Sequence, residues 1–440
     1  MSMINAFDAK AAQGVAPRER AMIERRQRLL GPAYRLFYAN PVHFVRGEGV
    51  WLYDPDGNAY LDVYNNVACV GHCHPHVVQA LAKQAAVLNT HTRYLSEGIL
   101  DYAENLLATL PPELGRVMFT CTGSEANDLA YRTAREVTGG TGFIVTELAY
   151  HGVTVAISEM SPSLGKQVLG PNIRTVPAPD LYHAEGRDVG ESFAAGVRAA
   201  IADMQASGIK PAALLVDTIF SSDGVFADPA GFLAPAVAAI REAGGLFIAD
   251  EVQPGFGRTG EAMWGFQRHG LLPDMVTMGK PMGNGHPIAA MVAKPEILQE
   301  FGEKTRYFNT FGGNPVSCAV GQAVLEVIEG EALMANALET GHYLREGLRA
   351  LAQRHEIIGD VRGAGLFVGV ELVTDRASKA PATAQTGALV NALRERRVLI
   401  SAAGPHANVL KIRPPLVFRR EHADRFLEAT EAALREVAPA

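Results

Sequence analysis

Two apolar runs in the middle of the chain end on groups that could do chemistry together. Leu246-Phe247-Ile248-Ala249 runs into Asp250 and Glu251, and Met275-Val276-Thr277-Met278 runs through Gly279 into Lys280. Short apolar runs of this kind read as buried parallel strands. The carboxyl ends of such strands line the ligand crevice of an open α/β sheet. A carboxylate and an amine would then face one crevice. A lysine amine there can condense with an aldehyde, and an aspartate can keep a heteroaromatic ring nitrogen protonated. That pairing suggests a pyridoxal 5'-phosphate (PLP) site, whereas a single lysine in a glycine-rich loop is by itself ordinary solvated surface.

Three other strings could contribute, each with a plain alternative. In FTCTGSEANDLAYRTAR a strand ends at Thr120 and a helix starts near Glu125, with Thr122-Gly123-Ser124 between. Free N–H groups at a helix start bind phosphate, although Ser124 as an ordinary N-cap explains the same residues. Tyr150 and His151, after the Gly142–Thr146 run, put an aromatic ring where it could stack on a flat cofactor, or on the core. Thr310, flanked by aromatics and followed by Gly312-Gly313, forms a tight loop able to approach a phosphate or another subunit, or simply a turn. By contrast, Gly255-Phe256-Gly257-Arg258-Thr259-Gly260 matches G-x-G-x-x-G only in letters. A dinucleotide fingerprint opens directly from strand into helix, and here Asp250–Pro254 intervenes. No GxxxxGK[ST] string is present.

These residues need a scaffold. The pattern predicts a helical arm over 1–40, a hairpin around Asp54–Asn58, and helices at 75–88 and Leu100–Leu110. Strands are expected at Val117–Thr120, Gly142–Thr146, Ala213–Asp217, Leu246–Ala249 and Met275–Met278. Helices are expected at Glu125–Val137, Phe193–Ala206 and Leu233–Ala243, with a long proline-rich connection across 147–180. This alternation is an α/β pattern: a mainly parallel central sheet flanked by helices. Helices at Val316–Glu329, Leu344–Arg354, Thr386–Arg396 and Glu421–Val437, with a strand across Asp360–Leu372 that begins at a glycine bend and another at Val409–Ile412, give a smaller α+β tail. The expected divisions are 1–70 (arm and hairpin, packing with the small domain), 71–325 (large PLP-binding domain) and 326–440 (small domain).

Composition bounds the rest. The chain has 440 residues, 48% hydrophobic and 20% charged, which suits a globular protein with a large core. A net charge of −7 disfavours nucleic acid as a partner. No apolar stretch approaches the ~20 residues that span a bilayer, and the polar N-terminus lacks a signal-peptide core, so a cytoplasmic location is expected. Four cysteines are too few for a disulfide framework. Cys69, His72, Cys73 and His74 cluster, but their spacing matches no standard zinc site, so no metal is expected.

TGSEAN, YHG, IADEVQPGFGRTG, MGK, TFGGNP and VRGAGLFVGVEL, in this order and spacing, resemble the class III aminotransferases of PLP fold type I, from about Asn40 to the C-terminus. The resemblance implies that Lys280 is the Schiff-base lysine and the acid/base, and that Asp250 pairs with the pyridine nitrogen. It implies further that Gly123 and Ser124 hold the phosphate, that Tyr150 and Val252 cover the two ring faces beside His151, and that Gln253 meets the ring hydroxyl. Thr310 resembles a residue reaching the neighbouring subunit's cofactor, which implies a homodimer or higher homo-oligomer.

Two departures bear on the substrate. Many family members carry Glu-Pro where this chain has Asp217-Thr218, and an arginine three residues before Pro-Pro where LKIRPP puts Lys411, with Arg413 just before Pro414. Lysine does not reproduce a planar bidentate fork for carboxylate. NVACVGHCHPHVVQA, LNTHTRYL, GNGHPIA, YFNTFGG and LKIRPP further resemble the branch of ethanolamine-phosphate phospho-lyases. Arg93, Asp217, Lys411 and Arg413 are the candidate substrate residues. The leading expectation is transamination between an amine or ω-amino acid and a keto acid such as pyruvate. The alternative is elimination of phosphate and ammonia from an amino alcohol phosphate. A PLP-binding regulator would need an added DNA-binding segment, and none is visible.

Overall fold

The structure is a computed structural model that describes residues 4–8, 15–165 and 169–437. Of the expected N-terminal arm, Pro17–Leu30 is helical, and 1–3 and 9–14 lie outside the described residues.

The central sheet has seven strands in the spatial order Arg116–Thr120, Ala289–Ala293, Met275–Met278, Leu246–Asp250, Pro211–Asp217, Gly142–Thr146 and Ile173–Val176. Ala289–Ala293 runs antiparallel to both neighbours, and the other strands share one direction. Consecutive side chains enter opposite cores: Leu214, Phe247 and Val276 pack into one, Leu215, Ile248 and Met275 into the other. Burial on both faces explains why these strands read as unbroken apolar runs. The register sets the site. Asp217 lies opposite Asp250, and Asp250 opposite Thr277, so three polar side chains end three adjacent strands in one row.

A five-stranded sheet follows in the C-terminal part, ordered Ile358–Ala364, Phe367–Asp375, Val409–Ile412, Ser401–Ala403, with Ala380–Pro381 at its edge. Lys411 sits in its middle, opposite Gly369 and Ser401. The hairpin near the N-terminus joins Val398–Leu399 through a parallel pairing of Ala59–Asp62. Among the described residues, no helix is long and apolar enough to cross a membrane.

Four expectations need correction. Asp360–Leu372 is not one strand but an antiparallel pair, reversed at Gly365 (φ 51°) and Leu366. The proline-rich connection contains the Ile173–Val176 strand and a short helix, Val155–Ser158. No expected element corresponds to the strand Ala289–Ala293 or to the helix Pro295–Lys304. The helix expected to begin at Leu344 starts at Leu333.

Candidate active site

The helix Gly123–Thr138 begins at the carboxyl edge of the central sheet. Its N-cap is Thr122, not Ser124: the Thr122 hydroxyl accepts from Glu125 N at 3.1 Å, and the Glu125 carboxylate accepts from the N–H of Thr122 and Cys121. This reciprocal capping leaves the Gly123 and Ser124 N–H groups without helical partners, at the positive end of the helix dipole. Ser124 Oγ accepts from Val153 N at 3.1 Å. A Cβ at Gly152 would come within 2.5 Å of that oxygen, so only glycine lets the His151–Val153 turn close over the helix start.

Asp250 is the best-held group of the site. Its Oδ2 accepts from His151 Nδ1 at 2.7 Å and from Asn127 Nδ2 at 3.0 Å, and its Oδ1 from Val252 N at 3.1 Å. Asn127 also donates to His151 O at 2.7 Å and accepts from Thr277 Oγ1 at 2.6 Å. The carboxylate therefore has a fixed orientation and about one lone-pair direction left for a ligand. The next residue, Glu251, turns away from the cleft: it accepts from Thr218 Oγ1, Gly265 N and Phe266 N, and burial pushes its carboxyl up to about 7.

Lys280 and Asp250 line one cavity of about 300 Å³ with Gly123, Ser124, Asn127 and Tyr150. His151, Asp217, Val252 and Gln253 complete the part of its wall that concerns the cofactor. The Lys280 amine stands 5.8 Å from the Tyr150 ring centre. Burial, then the Arg413 charge, lower the Lys280 pKa, and Asp250 and Asp217 oppose the shift. A depressed pKa keeps more of the amine neutral, the form that attacks a carbonyl. Asp217 moves the other way: burial and the Asp250 charge raise its pKa, against hydrogen bonds from Ser221 and Ile219 N.

Behind this wall lie two more cations. Lys411 is 7% exposed, has no hydrogen-bond partner among the described residues, and lies 5.6 Å from the Phe367 ring centre. Burial, then Arg413, drive its pKa well down. Arg413 stacks on Tyr64 at 4.3 Å, and its Nη1 donates to Asn66 Oδ1 and, at 3.0 Å, to Gln253 Oε1. Its Nε and the Asn66 Nδ2 are buried without partners among the described residues. Arg93 and Thr310 stand apart from their own chain's cavity. Both are exposed, and Arg93 lies 3.7 Å over the Phe308 ring, in the same loop as Thr310.

The residues fit PLP. The free helix start offers phosphate a cradle, Tyr150 and Val252 flank a slot for a flat ring, Asp250 offers a fixed acceptor, and Lys280 a partly neutral amine. Sequence reading missed Asn127 and Thr277, which orient Asp250. Asn127 lies within the TGSEAN string, where the helix pattern accounts for it.

The profile of the Aminotransferase class-III family matches residues 37–434. A Drosophila melanogaster protein named "Alanine--glyoxylate aminotransferase 2-like" is 43% identical over 419 residues, covering 92% of this chain and 85% of that protein. A Caenorhabditis elegans "Ethanolamine-phosphate phospho-lyase homolog 1" is 38% identical, covering 97% and 95%. Among solved structures, a phospholyase from Arthrobacter in complex with phosphoethanolamine superposes with a TM-score of 0.91 at 47% identity, covering 94% of this chain and 99% of that one.

Proposed function

From the premise that this chain belongs to the class-III aminotransferases, a family dependent on pyridoxal phosphate, we propose that it is a lyase that eliminates phosphate from an amino alcohol phosphate of the phosphoethanolamine type. The carrying observation is the pair of buried cations at Lys411 and Arg413. Where many family members present a fork for carboxylate, this chain sets an amine and a guanidinium Nε, both without hydrogen-bond partners among the described residues, behind the Gln253 and Asp217 side of the cleft. Two separated basic groups, of which Lys411 is drawn to its protonated form by an arriving anion, suit a phosphate dianion better than a planar carboxylate. The likeness to the Arthrobacter phospholyase and to the C. elegans relative supports this reading.

Bound PLP supplies the electron sink that makes a proton on the amine-bearing carbon removable. The chain's own groups do the rest. The N–H groups of Gly123 and Ser124 bind the cofactor phosphate. Asp250, oriented by His151 and Asn127, keeps the ring nitrogen protonated. Tyr150 and Val252 hold the ring plane, and Gln253 meets its hydroxyl. Lys280 would hold the cofactor and, once the substrate's own amine has displaced it, its freed neutral amine would take the substrate proton. Arg413 and Lys411 receive the substrate's anionic end beside Asp217. Thr310, exposed on its own chain, reaches the cofactor of a second subunit in a homodimer or larger assembly, and Arg93 sits on the same loop surface. A cytoplasmic location belongs to the same proposal.

Transamination is the second reading, favoured by the Drosophila relative's name; the Lys280 amine serves either reaction. Purified holoenzyme separates the two. Phosphate release from phosphoethanolamine without a keto acid supports elimination. Amine transfer to pyruvate without phosphate release supports transamination.

A further inference from the structure

The Gly255–Gly260 string plays no part in the site as described so far. Its arginine is nevertheless 1% exposed, an uncommon position for a guanidinium. Arg258 Nη1 donates to Pro414 O and, at 3.2 Å, to Leu366 O. Leu366 N answers with a bond to Arg258 O at 3.1 Å. The glycines allow this contact: a Cβ at Gly365 would come within 2.5 Å of Arg258 O, and one at Gly257 within 2.5 Å of Met334 Cγ. Burial lowers the Arg258 pKa to about 10, which leaves it charged at neutral pH.

The partner it holds explains the need for a side chain. Pro414 and Pro415 carry no N–H, so the segment after Val409–Ile412 cannot continue a backbone ladder. Arg258 donates to the carbonyl between them. Both bonds leave one guanidinium nitrogen, Nη1, which the rigid planar group holds between the two carbonyls. The residue immediately before Pro414 is Arg413, whose Nη1 meets Gln253 Oε1 in the cavity wall.

We propose that Arg258 is a positioning residue: by clamping Pro414 O and Leu366 O it fixes where Arg413 stands, and so sets the cleft's grip on an anionic substrate group. The last clause rests on Arg413 receiving that anion, as proposed above. Arg258 touches neither cofactor nor substrate and acts through Arg413.

The test compares holoenzymes of Arg258→Met, Arg258→Lys, Arg413→Met and the double variant R258M/R413M by two readouts. The first is the pH midpoint of the bound cofactor's absorbance change. The charges facing Lys280 are Arg413, Asp250 and Asp217, with Lys411 nearby. Loss of the Arg413 charge should raise the midpoint by about half a unit or more. R258M should move it the same way, R258K by less, and the double variant no further than R413M. The second readout is competitive inhibition by inorganic phosphate, expected to weaken about tenfold in both R413M and R258M. A wild-type midpoint in R258M, or additive shifts in the double variant, overturns the positioning role, whatever happens to thermal stability. If R258M yields no holoenzyme, R258K is read against the same two outcomes. Unchanged phosphate inhibition in R413M overturns the anion role of Arg413, and the midpoints then decide Arg258's hold on Arg413 independently.

Discussion

Replacing Lys411 by Met should stabilise the protein while disabling it. Lys411 is nearly fully buried, has no hydrogen-bond partner among the described residues, and is held well below its usual pKa by burial and by Arg413. Each unit of depression corresponds to about 1.4 kcal/mol of penalty on the charged form. Methionine has a similar length and no polar head, so it fills the space beside Phe367 without that penalty. Replacing a whole buried ion pair by apolar side chains of similar volume is neutral or gains about 1–4 kcal/mol, and Lys411 has no bonded partner for its removal to strand, so a gain within that range is expected. For a chain of this size that corresponds to roughly 1 °C per kcal/mol in Tm. Asp217 is not stranded, because Ser221 and the Ile219 N–H still answer its carboxylate and its raised pKa lets it take a proton. Losing a buried cation against an anionic group should cost about 2–5 kcal/mol of transition-state binding, roughly 30-fold to several thousandfold in kcat/KM. Calorimetry of apo and holo protein, with phosphate release from phosphoethanolamine, reads both signs. A K411M enzyme that unfolds several degrees earlier, or keeps wild-type kcat/KM, would refute Lys411 as a strained anion receiver.

Three further outcomes follow from the geometry. Lys280→Ala should lose about 10²–10⁴-fold or more in turnover, and borohydride reduction should no longer leave cofactor mass on the protein. Asn127→Ala strips one donor from Asp250 and leaves the His151 carbonyl and the Thr277 hydroxyl without that partner, so Tm should fall by a few degrees, with about 1–3 kcal/mol lost per unpaired group, and cofactor affinity should weaken. Asp223, buried and bonded by Thr146 and Leu148 N, has its pKa raised from 3.8 to about 7. The native state therefore binds the extra proton, so Asp223's contribution is fully present below about 4 and is lost as pH rises through about 7. Asp223→Asn should flatten the fall in Tm across that window, as a thermal scan against pH would record.

The sequence disclosed what periodicity and chemistry encode together. Leu246–Asp250 and Met275–Met278 were legible because strands buried on both faces are apolar at every position, and because the polar residues that end them have few structural reasons to be there. Ile173–Val176 hid because Arg174 and Thr175 interrupt its apolar pattern at the edge of the sheet, among prolines. In Asp360–Leu372 the glycine bend is legible but not that the chain reverses there into a second strand, because Gly363-Ala364-Gly365 carries no polar turn residue; the reversal relies on glycine backbone freedom packed against Arg258 and Thr259. At the site, the residues facing the cavity were legible one by one. Their supports were not: Asn127 lies within a helix pattern, Thr277 within a strand pattern, and Arg258 within a string that imitates another motif. Each is identified by what it touches across more than a hundred residues of chain.

The most direct measurement is multiple-turnover phosphate release by purified, PLP-loaded enzyme given phosphoethanolamine and no keto acid. Elimination regenerates the starting cofactor form each cycle, so many equivalents of phosphate per site are expected, with matching ammonia. No phosphate, with amine consumption limited to one equivalent per site until pyruvate is added, would contradict elimination and return the cleft to transamination.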